Sequence, residues 1–138
     1  MKPFATLCLI ATTLTVLACK PTISERTCKS FRVGKFAFRP TGGPAGLSYL
    51  IDRNDSIQTE TEEQTGDVTT LKVKWLNSCT YQLSYLSTTK VLPESVQRLR
   101  KAVPLTTEIM AGNERYYIFR SQRTSVEPIF VDTIWVRQ

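Results

Sequence analysis

The stretch Val68-Thr69-Thr70-Leu71-Lys72-Val73-Lys74-Trp75 sets the fold class. Leu71, Val73 and Trp75 fall on one side of an extended chain and Lys72 and Lys74 on the other, the period-two pattern of a strand with one face in a core and one in water. Similar segments lie on both sides of it. Residues 80–86 follow, residues 57–63 and 47–53 precede around the turn-forming Asn54-Asp55, and Thr41-Gly42-Gly43-Pro44-Ala45-Gly46 reads as a loop. Residues 31–38 form the first segment, with Gly34 placed where a bulge would switch the inward face. Residues 105–110, 116–121 (after Gly112-Asn113) and 129–137 close the chain. Both faces of 129–137 are apolar, which predicts a strand covered on both sides. The one break in this rhythm is 93–103, where Leu92, Val96, Leu99 and Val103 have helical spacing behind Pro93. That segment reads as a short lid or connector packed on the sheet, with a membrane-lying or partner helix as the alternative.

The expected fold is therefore all-β: an antiparallel meander, or a small lipocalin-like barrel, of about eight strands with one short helix. Burying Ile57, Thr59 and Thr61 against Trp75, Val73 and Leu71 predicts a register in which Glu60 faces Lys72 on the wet side. Thr65-Gly66-Asp67 is then the connecting loop, with Gly66 at positive φ. Of the adjacent Tyr116 and Tyr117, one is expected to point in and one out.

The N-terminus carries an address. Lys2 is followed by an uncharged apolar run over 4–17 and then by Val16-Leu17-Ala18-Cys19, which resembles a bacterial lipobox, although Leu is commoner where Val16 stands. The run is shorter than the roughly 20 residues a membrane-spanning helix needs. Residues 1–18 are accordingly read as a lipoprotein signal peptide and Cys19 as the acylated residue, with 19–29 as anchor and short tether and 30–138 as a single β-domain. The alternative is an ordinary secretory cleavage site beside an incidental cysteine. Either places the protein in the cell envelope, and Lys20, unlike the aspartate that retains many lipoproteins at the inner membrane, points to the outer membrane.

Removing residues 1–18 from the 138 leaves 120, and takes away one base, Lys2, and no acid. Eighteen bases and twelve acids become seventeen and twelve, a net charge of +5. Outside the cytoplasm such a balance suits anionic lipid heads or glycans, or a protein partner, rather than nucleic acid. Arg26, Lys29, Arg32, Lys35 and Arg39 form the densest basic stretch; a solvated face is its simplest reading and an anionic envelope surface the alternative, while Phe31, Phe36 and Phe38 read as core. With Cys8 in the leader and Cys19 assigned to acylation, Cys28 and Cys79 remain. In an oxidising compartment they read as one disulfide, the alternative being two buried thiols.

The chain contains no histidine, which removes Ser-His-Asp, Cys-His and His-ligated metal chemistry. No phosphate-binding loop, dinucleotide fingerprint or Cys-x-x-Cys is present. No catalytic, cofactor-binding or metal-ligating set is therefore expected. Glu60, Glu62, Glu63 and Asp67 cluster, but a solvated strand face beside a turn accounts for them better than a hydrolase's carboxylate pair.

Three stretches carry a resemblance: Cys28-Lys29-Ser30-Phe31-Arg32-Val33-Gly34-Lys35-Phe36, Arg53-Asn54-Asp55-Ser56-Ile57-Gln58, and Trp75-Leu76-Asn77-Ser78-Cys79-Thr80-Tyr81-Gln82-Leu83. They resemble a family of small exported proteins and lipoproteins of Gram-negative bacteria without established function, some of whose members are labelled DNA topoisomerase IV. An exported chain of this size is far too small for a topoisomerase subunit. The resemblance covers about residues 28–86, and the segment 93–103 departs from it as a local insertion. It implies an extracytoplasmic β-fold with two characteristic cysteines and brings no catalytic residue. The expected function is a membrane-anchored envelope lipoprotein with a non-enzymatic binding or structural role; the alternatives are a lipocalin-like carrier of a small apolar ligand and, further off, a histidine-free hydrolase.

Overall fold

The computed structural model describes residues 23–138; residues 1–18, read from the sequence as a signal peptide, and Cys19 lie outside the described residues. Eight strands pair in sequence order: β1 (Gly34–Phe38), β2 (Tyr49–Arg53), β3 (Ile57–Glu62), β4 (Val68–Trp75), β5 (Thr80–Thr88), β6 (Leu105–Gly112), β7 (Tyr116–Gln122) and β8 (Phe130–Val136). Every pairing is antiparallel, and β8 returns to β1 through Phe36 opposite Val136 and Phe38 opposite Ile134. The sheet is thus a closed up-and-down barrel, an arrangement that leaves no free edge. Two short helices accompany it, α1 (Glu25–Lys29) and α2 (Glu94–Ala102).

The two ends of the barrel are built differently. At one end the turns β2–β3, β4–β5 and β6–β7 repeat one device, an asparagine whose side chain caps the turn it opens. Asn54 Oδ1 accepts from the Ser56 and Ile57 amides, Asn77 Oδ1 from the Cys79 and Thr80 amides, and Asn113 Oδ1 from the Arg115 amide, at 2.8–2.9 Å. The connections at the opposite end are longer, and one of them contains α2. The first end is closed by α1, whose N-cap Ser24 accepts from the Thr27 amide and whose Cys28 is fully buried. Cys28 is joined to Cys79, in the β4–β5 turn, with Cα atoms 5.0 Å apart. The last residues of the segment read as tether, 25–29, are therefore a helical plug belonging to the barrel.

Inside the closed end, Phe31, Phe36, Tyr81 and Tyr117 fill the space between the walls, with Phe31 and Tyr117 ring centroids 4.8 Å apart. Phe38 packs against this core from the other end. Tyr117 points inward and Tyr116 outward against Trp135. Gly34 opens β1 rather than bulging it, and a Cβ there would stand 3.2 Å from the Phe36 ring, so the glycine lets that ring lie on the backbone. The register shifts occur instead at Thr70/Leu71 and Ile109/Ala111.

Two further expectations are corrected. Gln58, not Ile57 or Thr59, faces inward on β3, because the strand is displaced by three residues: Ile57 pairs with Lys72, Gln58 with Leu71 and Glu60 with Thr69. An odd displacement turns every side chain to the other face, so Gln58, Glu60 and Glu62 line the interior and are not a wet carboxylate face. The connection to β4 is correspondingly longer than three residues, although Gly66 does take a positive φ of 76°. The second correction concerns β8. Ile134 and Asp132 point inward, but Val131 and Trp135 on the outer face are each about half exposed, 52% and 50%, since a single-walled barrel has nothing to lay over its outside.

Candidate functional site

A cavity of about 280 Å³ occupies the interior towards the mouth, the end opposite α1. Seven of the eight strands contribute to its wall; only β4 does not. Aromatic residues dominate one side: Phe38 stacks on Tyr49 at 6.2 Å and meets Phe119 and Phe130 edge-on at 5.8 and 6.3 Å. Leu83, Leu105, Ile51 and Ile134 add aliphatic surface, and Thr107 and Ser121 single hydroxyls. A chamber of about 130 Å³ adjoins it at Glu60, Leu83 and Leu105, lined also by Arg100 from α2 and by Arg123. A larger depression of about 580 Å³, between α1 and the β6–β7 turn, is an open surface groove.

Below the cavity lies a charge with an unusual setting. Arg53, 1% exposed, is the largest fully buried side chain among the described residues, and no carboxylate lies within ion-pair distance of it. Its Nε donates to Gln58 Oε1 at 2.5 Å, Nη1 to the Phe31 carbonyl at 3.1 Å, and Nη2 to the hydroxyls of Tyr81 and Tyr117 at 3.1 and 2.9 Å. The guanidinium also sits 4.6 Å from the Tyr81 ring centre and 5.1 Å from that of Phe36. Burial by itself works against the charged form, but the two phenol oxygens outweigh it and hold Arg53 above the usual arginine range. Tyr117, enclosed beside it, is pushed well above the ordinary phenol value by burial.

Gln58 relays this charge to the cavity. While its Oε1 accepts from Arg53, its Nε2 donates to Glu60 Oε1 at 2.6 Å. Register explains the chain of contacts: Arg53 and Gln58 are cross-strand partners, and Glu60 is the next inward position on β3. Burial in the barrel raises the Glu60 carboxyl above the ordinary glutamate value, against the opposing pull of Gln58, Arg53 and Arg100. Among the described residues, Glu60 is the only carboxylate lining either chamber. Glu62, the next inward residue, is paired with Lys90 at 2.7 Å, Glu63 is exposed, and Asp67 accepts from the Thr89 hydroxyl at 3.0 Å. The four acids of the sequence cluster thus separate.

The mouth is held in part by Asp132, whose carboxylate accepts from the Thr41 amide at 2.7 Å and the Thr41 hydroxyl at 2.9 Å, tying the β1–β2 connection to β8. α2 lies beside β5 and contributes Arg100 to the smaller chamber. It buries no residue fully, and Leu99, expected on its packed face, stays half exposed. The basic stretch read from the sequence divides: Arg26, Lys29, Arg32 and Lys35 surround the closed end, and Arg39 stands beyond β1 at the mouth. Of the cluster around the buried cation, only Tyr117 is singled out in the sequence, as one of a pair expected to point in and out; Arg53, Gln58 and Tyr81 carry no periodic signal, although all three fall in the stretches that carry the resemblance. Among the described residues no group of three or more potential metal ligands converges, and no helix is long and apolar enough to cross a membrane. Comparisons with protein-family models, with curated proteins and with solved structures find no match.

Proposed function

We propose that this protein is a membrane-anchored envelope lipoprotein whose barrel holds a small, largely apolar ligand without chemically changing it. The observation that carries the reading is the cavity, an apolar enclosure with a few placed polar groups and walls from seven strands. Its volume, just under the roughly 300 Å³ at which drug-sized sites begin, suits a compact molecule. Its polarity calls for an aromatic or aliphatic body with one hydrogen-bonding group directed at Glu60. The solitary carboxylate supports binding over hydrolysis, because two-carboxylate chemistry needs a second acid within about 5–10 Å on the other side of the substrate.

The anchor rests on the lipobox-like sequence at Val16–Cys19 and, in its physical consequence, on chain length. Acylation at Cys19 would hold the closed end at the bilayer and leave the mouth pointing away from it. Native mass spectrometry of the full chain isolated from bacterial envelopes tests both parts. A non-covalent adduct released on denaturation, with an acylated N-terminal cysteine, is the expected result. A ligand-free barrel from every source would defeat the binding role, and an unmodified mature terminus would defeat the anchor.

A further inference from the structure

We infer that the closed end of the barrel is a docking face for an anionic phospholipid surface; the inference deepens the anchored reading above and rests on a feature that reading does not use, the distribution of charge. The closed half of the described chain presents eight bases at or near its surface: Arg26, Lys29, Arg32 and Lys35 around α1 and the start of β1, Lys72 and Lys74 on β4, Arg115 in the β6–β7 turn, and Arg137 after β8. Four acids accompany them: Glu25, Asp52, Asp55 and Glu114. Around the mouth the balance reverses, with six bases against seven acids, and the pair Arg120–Glu108 cancels on the barrel wall between. The whole positive excess of the described chain therefore lies at one end.

Ion pairing sharpens the contrast. The three salt bridges among the described residues, Lys90–Glu62, Arg98–Glu94 and Arg120–Glu108, all lie outside the closed end. None of its eight bases is neutralised by a neighbouring carboxylate. A fold gains nothing from gathering like charges without partners, since they repel across distances shorter than the Debye length of about 8 Å. An external anion of matching extent removes that repulsion.

Chain length selects the surface. Ile23, where the described residues begin, packs against the closed-end core, and Cys19 precedes it by four residues, a reach of at most about 14 Å. A lipid on Cys19 would thus keep this face within roughly two Debye lengths of the headgroups. A bilayer is broad enough to meet bases spread over α1, β1, β4, the β6–β7 turn and the C-terminus at once, which a small free anion cannot do.

The test separates the face from the anchor by using residues 19–138 with Cys19→Ser, refolded with the Cys28–Cys79 bond formed; this chain keeps every described residue and can be held to a vesicle neither by an acyl chain nor by the apolar run over 4–17. It is sedimented with vesicles of phosphatidylcholine alone and of phosphatidylcholine mixed with phosphatidylglycerol. Binding is expected on the mixed vesicles only, falling steeply as salt is raised, and each of Arg26→Gln, Lys29→Gln and Lys35→Gln should weaken it about fivefold. The mouth variants Arg98→Gln and Lys101→Gln, all of these residues being exposed, should leave it unchanged. Absent binding, equal binding to neutral vesicles, equal loss from the mouth variants, or binding to lipopolysaccharide alone overturns the inference. The N-terminal mass of unmutated protein reports separately on acylation: an unmodified terminus with intact vesicle binding sinks the anchor alone, and an acylated terminus without vesicle binding sinks the docking face alone.

Discussion

Arg53 and Glu60 are opposite charges in one barrel that never touch, with the amide of Gln58 donating to one and accepting from the other. Such an arrangement keeps a buried cation without a contacting counter-ion tolerable, because four of its five N–H groups meet oxygen and three rings face its surface. Removing the cation strands the partners. Arg53→Met should cost about 3–5 kcal/mol in denaturant unfolding, since the Phe31 carbonyl, Gln58 and two phenols lose a donor in a dry site. Arg53→Lys should recover only part of this, because a single ammonium cannot address four acceptors in the guanidinium plane. Glu60 makes the opposite prediction. Its carboxyl is raised by burial, so the folded state binds its proton more tightly than the unfolded state. Its contribution to stability is therefore greatest at low pH and declines as pH rises from the ordinary glutamate range through the raised folded value. Glu60→Gln should flatten that decline and, at neutral pH and above, raise the unfolding free energy by on the order of 1 kcal/mol. A pH series of melting temperatures for the two proteins checks it; a variant whose melting temperature falls at neutral pH would show that Glu60 serves as the counter-charge of Arg53 above all else.

At the scale of elements, the strands whose two faces differ chemically were legible in the sequence. The run from Leu71 to Trp75, with lysines between its apolar residues, sets β4 the right way round, and Val73 is indeed in the core. β3 was not legible in the same way, because Ile57, Thr59 and Thr61 alternate with Gln58, Glu60 and Glu62, and hydropathy turns the polar set outward. What overrides hydropathy is Arg53 on the neighbouring strand, which needs an oxygen opposite it and finds Gln58. A buried arginine leaves no mark in a periodicity argument, so the polar core and the cavity's one carboxylate were hidden with it. α1 escaped for a different reason: a five-residue helix is too short for periodicity, and only its Ser24 cap hinted at it. The pairing of Cys28 with Cys79 was legible from the compartment and the cysteine count, whereas the plug helix that presents Cys28 was not. With a sequence separation of 51, the bond should stabilise the fold by about 4 kcal/mol in the chain-entropy model. Cys28→Ala with Cys79→Ala should lower the melting temperature by that equivalent and raise hydrogen exchange first in residues 25–31. Uniform loss of protection around the barrel would contradict the picture of α1 as a separable plug.

The whole molecule is polarised along the barrel axis. Three asparagine turns, a disulfide-pinned helix and a core of aromatic rings around Arg53 close one end, and the longer connections surround a cavity at the other. On the reading proposed above, this cavity takes a ligand. Titration of residues 19–138 with Cys19→Ser, which lacks both the apolar leader and an acyl chain, with the neutral fluorophore N-phenyl-1-naphthylamine addresses it when run beside a variant in which Ser121, 4% exposed and lining the cavity, is enlarged to phenylalanine. Saturable one-to-one fluorescence enhancement is expected for the protein with Ser121 and its loss in Ser121→Phe, with near-ultraviolet circular dichroism checking that the variant remains folded. Enhancement that persists undiminished in a folded Ser121→Phe protein would place the apolar site on the outer surface, around Val131 and Trp135, and rule out the cavity as the binding site.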